Sequence, residues 1–239
     1  MSRTATKVFM AILGTLPLLA VVPAASASAA ASAPVKTHAG SAIAATAAPE
    51  LGIRFFPDGD PGQCTGPQSQ WTLSPDWSTP IRFDTDSRTG GCDFAFGLYD
   101  PSSTLTGLSI TYTWLVNLGG DGSQCGSQGT YRMPINTQFQ GFGTLVRDDT
   151  DSRAGWCNLT FTVSGRTDIG LDVQFWADGD PNQCHGALPQ GSFYTAASGS
   201  PVTIGLDTDN RVGGCWVSLR LRHFGFSSVR HINVPLHVT

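Results

Sequence analysis

Hydrophobic and polar side chains alternate along six stretches of this chain. A period of two places every second side chain on one face of a β-strand, so each stretch is predicted to be a strand with one buried face. In three stretches the hydrophobic positions are Leu51/Ile53/Phe55, Tyr112/Trp114/Val116 and Leu171/Val173/Phe175. In the other three, each directly after a cysteine, they are Phe94/Phe96/Leu98, Leu159/Phe161/Val163 and Val217/Leu219/Leu221. We predict no helix.

Two polar motifs recur three times between these strands. The first comprises Asp58–Cys64, Gly119–Cys125 and Asp178–Cys184, and the second comprises Asp84–Cys92, Asp149–Cys157 and Asp207–Cys215. Successive copies lie about 60 residues apart, which indicates an internal repeat. We therefore divide residues 51–239 into repeats 51–108, 109–168 and 169–228, followed by an extra strand over residues 231–239.

Each repeat is predicted to contain about four strands. Besides the alternating stretches, shorter strands are expected at Pro80–Phe83, Thr144–Arg147 and Val202–Leu206, with weaker ones near Trp71, Tyr131 and Phe193. Gly, Pro and Asp between them are typical of turns. The pattern predicts an all-β fold with threefold repetition, similar to a β-trefoil or β-prism; the alternative is a row of small disulfide-stapled β-sandwiches.

The six cysteines fall at two fixed places in each repeat. Bonds that respect the repeat pair them either within each repeat or with a neighbouring repeat. We favour the first pattern, Cys64–Cys92, Cys125–Cys157 and Cys184–Cys215, because it closes easily formed loops worth about 3 kcal/mol each.

The paired cysteines are expected to bring the two polar motifs of each repeat together. The resulting loops contain Asp60, Asp84, Asp86 and Arg88; Asp121, Asp149, Asp151 and Arg153; and Asp180, Asp207, Asp209 and Arg211. Alternating aspartates can bind Ca²⁺, but an arginine stands where a third ligand is expected and no glutamate follows. We prefer a structural role in which arginine pairs with aspartate, with calcium binding and direct contact with another ligand as alternatives.

Three aromatic residues fall at outward positions of the predicted strands. Phe56 and Trp176 occupy equivalent places, where the second repeat has Asn117, and Trp216 follows Cys215. Such rings can stack on a sugar, whereas the structural alternative is that they cover a second face of the fold.

The N-terminal segment predicts export. Residues 1–30 combine Arg3 and Lys7 with an apolar run and small residues, the pattern of a secretory signal peptide. Residues 31–50 are rich in Ala and Ser, which favours a flexible leader. An even number of cysteines fits an extracellular protein with disulfide bonds. No membrane-spanning segment is predicted. The formal net charge of -4 disfavours a nucleic-acid partner.

These patterns favour a secreted, non-catalytic binding module for carbohydrate or another cell-surface ligand. The alternatives are an extracellular structural or protein-interaction component, and a secreted hydrolase or hydrolase inhibitor with an unrecognised site. The chain lacks the common hydrolase, phosphate-binding and dinucleotide motifs. We expect no cofactor apart from the calcium alternative, and we expect a glycan or protein partner at the cell surface.

Overall fold

All six alternating stretches are β-strands, and their hydrophobic side chains form the core. A computed structural model describes residues 47–84, 89–138, 141–149, 154–186, 189–207 and 212–225, which belong to one compact unit. The predicted signal peptide, the leader up to residue 46 and the extra strand 231–239 lie outside these residues. Within them the protein is all-β, without a helix.

The described residues form sixteen strands. The first repeat contains β1 (Glu50–Gly59), β2 (Cys64–Thr65), β3 (Ser69–Leu73), β4 (Ile81–Asp84) and β5 (Gly90–Tyr99). The second contains β6 (Ser109–Val116), β7 (Cys125–Gly126), β8 (Gly129–Arg132), β9 (Ile135–Asn136), β10 (Val146–Asp149) and β11 (Trp156–Ser164). The third contains β12 (Ile169–Ala177), β13 (Cys184–Gly186), β14 (Phe193–Ala196), β15 (Val202–Asp207) and β16 (Gly214–His223). The short predicted strands are all present, shifted by at most a few residues. The strands of two or three residues that begin at Cys64, Cys125 and Cys184, and the two-residue strand β9, are additional.

Three sheets share one plan. Sheet I has the order β3-β1-β5-β10-β7, with β9 also paired to β5. Sheet II has the order β8-β6-β11-β15-β13, and sheet III the order β14-β12-β16-β4-β2. Leaving β9 aside, each sheet takes three strands from one repeat and two from another. Because sheet III takes β4 and β2 from the first repeat, the exchange of strands links all three repeats.

Large side chains from all three sheets belong to one core cluster. Phe83 contacts Phe55 and Phe94 edge to face at centroid distances of 4.9 and 5.3 Å, and Phe94 also contacts Trp114 at 5.1 Å. Of the hydrophobic positions predicted in the six stretches, all are buried except Val116, which is partly buried. These edge-to-face contacts add to the hydrophobic contribution of burying the rings.

The three disulfides join the cysteines within each repeat, as predicted. Cys64–Cys92, Cys125–Cys157 and Cys184–Cys215 have Cα–Cα distances of 5.6, 5.7 and 5.5 Å. No cysteine among the described residues is free. Each bond joins a short strand to a long one at the C-terminal ends of the repeat's two polar motifs.

Candidate functional site

The two polar motifs of each repeat lie together. The backbone N–H of Asp60 donates to the carbonyl of Thr89, and the N–H of Asp84 donates to the carbonyl of Gln63. The same pair of bonds recurs as Asp121 to Ala154 with Asp149 to Gln124, and as Asp180 to Val212 with Asp207 to Gln183. The repeat therefore extends to the backbone hydrogen bonds of its loops.

The first aspartate of each loop shapes its own turn. Oδ1 of Asp60 accepts from the N–H of Gly62, Oδ1 of Asp121 from Ser123, and Oδ1 of Asp180 from Asn182, at 2.7–2.9 Å. Contacts from an Asp side chain to the backbone two residues later define an Asx turn. This geometry accounts for these aspartates without a ligand.

The remaining loop residues are described in part. Asp84 and Asp207 are buried and Asp149 is partly buried. Asp86, Arg88, Asp151, Arg153, Asp209 and Arg211 lie outside the described residues. Among the residues that are described, no group of three or more His, Cys, Asp or Glu side chains is arranged to hold a metal ion.

A glycine lies two residues before the second cysteine of each repeat, and the backbone conformation explains why it is glycine. Gly90, Gly155 and Gly213 have φ values of +102°, +99° and +97°. A Cβ at Gly90 would lie 2.0 Å from the carbonyl oxygen of Asp58. Only glycine fits without strain where φ is positive and the two loops approach this closely.

A pair of tryptophans dominates the loop end of sheet III. Trp176 of β12 lies directly opposite Trp216 of β16, and Trp216 lies opposite Arg82 of β4. The two rings are parallel within 7° at a centroid distance of 6.1 Å, and both are partly exposed. We call Trp176, Trp216, Arg82, Asp84 and Asp178 the tryptophan cluster.

Asp178 holds this cluster in place. Its carboxylate accepts from Arg82 Nε at 2.7 Å, from Trp216 Nε1 at 2.8 Å and from the N–H of Gly214 at 2.7 Å. Arg82 also donates to Asp84 Oδ2 at 2.7 Å and lies 6.0 Å from the Trp216 ring centroid. Burial raises the pKa of Asp178, but the hydrogen bonds outweigh it and the pKa lies below its ordinary value. The carboxylate is therefore charged at neutral pH.

Sheet I has a different row at the equivalent place. Phe56 lies opposite Asp93, which lies opposite Arg147, and Arg147 Nη1 donates to Asp58. The pKa of Asp93 lies above its ordinary value, mainly because the carboxyl group is partly buried. The charge of Arg147 lowers this pKa, whereas the charge of Asp58 raises it. Phe56 has Arg54 over its ring at 5.2 Å, so this row offers one partly exposed ring beside charged groups.

Sheet II differs again, and its register corrects the sequence alignment. The residue paired with Asn158 is Leu115, so Leu115 and not Asn117 corresponds to Phe56 and Trp176. Two additional residues between the end of β6 and the loop displace Asn117 into the turn. Leu115 is 44% exposed, so sheet II has an aliphatic side chain where the other two sheets have Phe56 and Trp176.

At one pair of facing positions, sheet II has its large side chain on the opposite strand from sheets I and III: Trp156 replaces a glycine, and Gly205 replaces an arginine. Arg82 and Arg147 lie over Gly214 and Gly91, since a Cβ on either glycine would come within 2.9 Å of the arginine side chain. In sheet II the large residue is on the other strand, because Trp156 lies 2.9 Å from a Cβ built on Gly205. Sequence inspection missed this exchange, although the Gly-Cys, Trp-Cys, Gly-Cys series shows it.

His185 completes the sheet II site. Its ring lies 4.8 Å from that of Trp156, and its Nε2 is 3.2 Å from Asp207 Oδ2. With Asn158, Tyr194 and Thr203 it lines an open cavity of about 400 Å³. The position of His185 beside Cys184 in the sequence did not predict its contacts with Trp156 and Asp207.

The carboxylates Asp172 and Asp178 do not form a hydrolase pair. Six residues separate them along an extended chain, which corresponds to about 20 Å at 3.3 Å per residue. Glycosidases need their two carboxyl groups about 5–9.5 Å apart. Both groups are also engaged by arginines.

Comparison with known proteins gives no assignment for this arrangement: no protein-family model, no curated protein and no solved structure matches the chain. Within the described part of the chain, no helix has the length and hydrophobicity to cross a membrane.

Proposed function

We propose that this chain is a secreted, non-catalytic carbohydrate-binding module whose contact surface is the tryptophan cluster of sheet III. The observation that carries the proposal is the parallel, partly exposed pair Trp176 and Trp216. Two parallel, stacked and partly exposed indoles offer apolar ring surface against which the C–H face of a sugar ring can pack. Asp178 and Arg82 beside them supply the few polar groups that orient a ligand.

The cluster is organised before any ligand arrives. Asp178 holds the Trp216 indole through Nε1, and Arg82 is held by both Asp178 and Asp84. Side chains that are already fixed lose less conformational entropy on binding, which favours affinity.

Three disulfides are typical of extracellular proteins. Together with the predicted signal peptide, they support secretion. A secreted binding module meets polysaccharides at cell surfaces or in the surroundings, where the bonds also maintain the loops that carry Asp178.

We also propose that the three sheets are the faces of one threefold, prism-like domain. The support comes from the strand exchange, in which each sheet completes itself with two strands of another repeat. A row of independent sandwiches would not share strands in this manner. The shared core cluster agrees with one domain.

Binding of the mature secreted protein to a panel of soluble polysaccharides, measured by isothermal titration calorimetry, tests the carbohydrate proposal. Trp216→Ala and Trp176→Ala should each weaken binding about tenfold, which is the effect of losing about 1.4 kcal/mol of ring contact. Phe56→Ala is the matched control, because Phe56 has the same place in sheet I but lies opposite Asp93.

Equal losses in all three variants would show that the tryptophan pair is not a distinct site. The absence of saturable binding to any polysaccharide by the wild-type protein would overturn the proposal. Circular dichroism of each variant separates loss of the site from loss of the fold.

A further inference from the structure

The outer face of sheet III carries a second group of arginines and aromatic rings, four to six residues along the strands from the tryptophan pair. Asp172 of β12 lies directly opposite Arg220 of β16 and Thr195 of β14. Arg222 is the next outward residue of β16. We call Asp172, Arg220, Arg222 and the rings Trp77, Phe193 and Phe224 the arginine cluster.

Asp172 neutralises one of the two arginines. The residue is fully buried, and its Oδ2 accepts from Arg220 Nε at 2.9 Å and Nη2 at 2.5 Å. Its Oδ1 accepts from Thr195 Oγ1 at 2.6 Å. The guanidinium of Arg220 also lies over the Trp77 ring at 4.4 Å and near Phe193 at 5.6 Å. Arg220 is therefore a structural partner for the buried carboxylate.

Arg222 keeps most of its hydrogen-bonding capacity. Its Nη1 lies 3.5 Å from Asp172 Oδ1 and 3.5 Å from Thr195 Oγ1, at the outer limit of a hydrogen bond. Its Nε and Nη2 make no hydrogen bond within the described residues, and 40% of the side chain is exposed. A guanidinium has five N–H donors, so several point away from the contacts that exist.

Two aromatic rings fix the position of this arginine. The guanidinium lies 5.6 Å from the centroids of both Phe193 and Phe224. Phe224 itself covers Gly170, where a Cβ would come within 2.7 Å of the ring. Phe193 remains 45% exposed beside the charge. The arrangement combines a held cation with an accessible apolar ring.

The charge balance of the arginine cluster selects the sign of its ligand. Two arginines and one aspartate leave one net positive charge in a chain of net charge -4. The planar fork of arginine matches the two oxygens of a carboxylate or sulfate, and flanking rings that exclude water strengthen the attraction.

We infer that Arg222 and Phe193 form a subsite for an anionic sugar, so that the ligand of sheet III is an acidic polysaccharide carrying carboxylate or sulfate groups. The inference rests on the proposed carbohydrate function. Trp216 and Arg222 lie on the same face of β16, six residues apart, which corresponds to about 20 Å. A chain of several sugars spans this length, with neutral ring faces on the tryptophans and an acidic group on Arg222.

The test compares an oligouronide with its fully methyl-esterified form, which differs in charge but hardly in shape, and adds a sulfated oligosaccharide of the same length. Calorimetry is performed on the mature wild-type protein, Trp216→Ala, Arg222→Gln, Arg222→Lys and Arg132→Gln. Arg132 is the matched control because it is an exposed arginine on the outer face of sheet II.

The wild-type protein should bind at least one acidic oligomer about tenfold more tightly than the ester, because a charged hydrogen bond contributes this much. Arg222→Gln should remove that preference, Arg222→Lys should retain part of it, and Arg132→Gln should leave it intact. Preference for the uronide or for the sulfated form identifies which anion the site takes.

Equal losses in Arg222→Gln and Arg132→Gln would overturn the inference, because they indicate attraction to overall charge. Equal affinity for the acid and the ester would also overturn the anionic-sugar inference. If binding still depended on Trp216, this result would leave the proposed function in place. An acidic preference that depends on Arg222 but not on Trp216 would support the subsite and overturn the tryptophan site. No binding of any oligomer would overturn both.

Discussion

Sheets II and III follow the same strand plan but present opposite kinds of outer face. In sheet III, Thr195, Asp172 and Arg220 lie side by side across β14, β12 and β16. The corresponding residues across β8, β6 and β11 of sheet II are Arg132, Thr111 and Thr162. The next rows of sheet II continue with threonines, and Thr113–Thr130 and Thr160–Thr203 form hydroxyl hydrogen bonds of 2.8 Å. Apart from Arg132, these rows of sheet II consist of neutral β-branched residues, which favour strands by themselves.

This difference shows which positions the fold constrains. The inward positions of both sheets are hydrophobic and buried, whereas the outward positions have diverged from hydroxyls to ion pairs and aromatic rings. A buried carboxylate with its arginine is costly to desolvate and is weak support for stability compared with a hydrophobic pair. The Asp172–Arg220 pair stands where sheet II has two threonines, and this replacement favours a functional origin of that face of sheet III.

The largest expected effect comes from removing the carboxylate under the arginine cluster. Asp172→Leu leaves Arg220 among aromatic rings without its partner, and should lower the free energy of unfolding by about 3 kcal/mol. Thr111→Val at the corresponding place in sheet II should change it by at most about 0.5 kcal/mol. Urea denaturation followed by tryptophan fluorescence measures both.

A second variant distinguishes the cause of that loss. If the unpaired arginine is responsible, Asp172→Leu combined with Arg220→Leu should be more stable than Asp172→Leu alone. A double variant that is no more stable than the single one would contradict the assigned role of Arg220.

A smaller effect, of opposite sign, is expected at the inner position that precedes each Asp-Thr-Asp loop. Sheet III has Phe83 there and sheet II has Leu206, but sheet I has Asp148, which is fully buried. Neither oxygen of Asp148 has a hydrogen-bond partner among the described residues. Asp148→Leu should therefore raise the free energy of unfolding at neutral pH by about 2 kcal/mol.

The gain from Asp148→Leu should depend on pH. Burial raises the pKa of Asp148 well above its ordinary value, with Asp149 and Asp207 adding to the shift. The folded protein therefore binds the carboxyl proton of Asp148 more tightly than the unfolded chain does. As a result, the free energy of unfolding falls as the pH rises from the ordinary carboxyl pKa through the raised one. Asp148→Leu and Asp148→Asn should both flatten this decline in urea titrations at a series of pH values. An unchanged slope in both would show that Asp148 does not cause it.

The smallest effect concerns the pair of facing positions that hold Arg and Gly in sheets I and III but Gly and Trp in sheet II. Gly205→Arg introduces the arginine of the other sheets against Trp156 and should destabilise by about 1 kcal/mol through overpacking. Trp156→Gly removes the obstacle, so the double variant should be more stable than the sum of the two single effects by about 1 kcal/mol. Additive effects in a thermal double-mutant cycle would show that the two positions are independent.

Local patterns predicted much of the secondary structure because they depend on near neighbours. Alternation identified the long strands, and the repeated motifs identified which cysteines pair. The tryptophans were also found as outward residues, since position within a strand specifies the face. Their pairing was not predicted, because alternation does not say which strands are neighbours.

The arginine cluster shows the limit most clearly. Asp172 and Arg220 are 48 residues apart, and Arg82 and Asp178 are 96 residues apart in different repeats. Asp178 belongs to a recurring motif, but Arg82, Asp172 and Arg220 do not. Leu115 was missed for a related reason, because the alignment without gaps assumed that β6 reached its loop with the same number of residues as β1.

The sequence alone determined that the chain is all-β, that its strands bury one face, and that three disulfides join equivalent loops, because periodicity and repetition are properties of short segments. The tertiary structure alone decided that strands pass between repeats, that two indoles lie in register across β12 and β16, and that a buried carboxylate holds Arg220 beside the more exposed Arg222. These features depend on strand order and register, which arise only when distant segments pair and share one core.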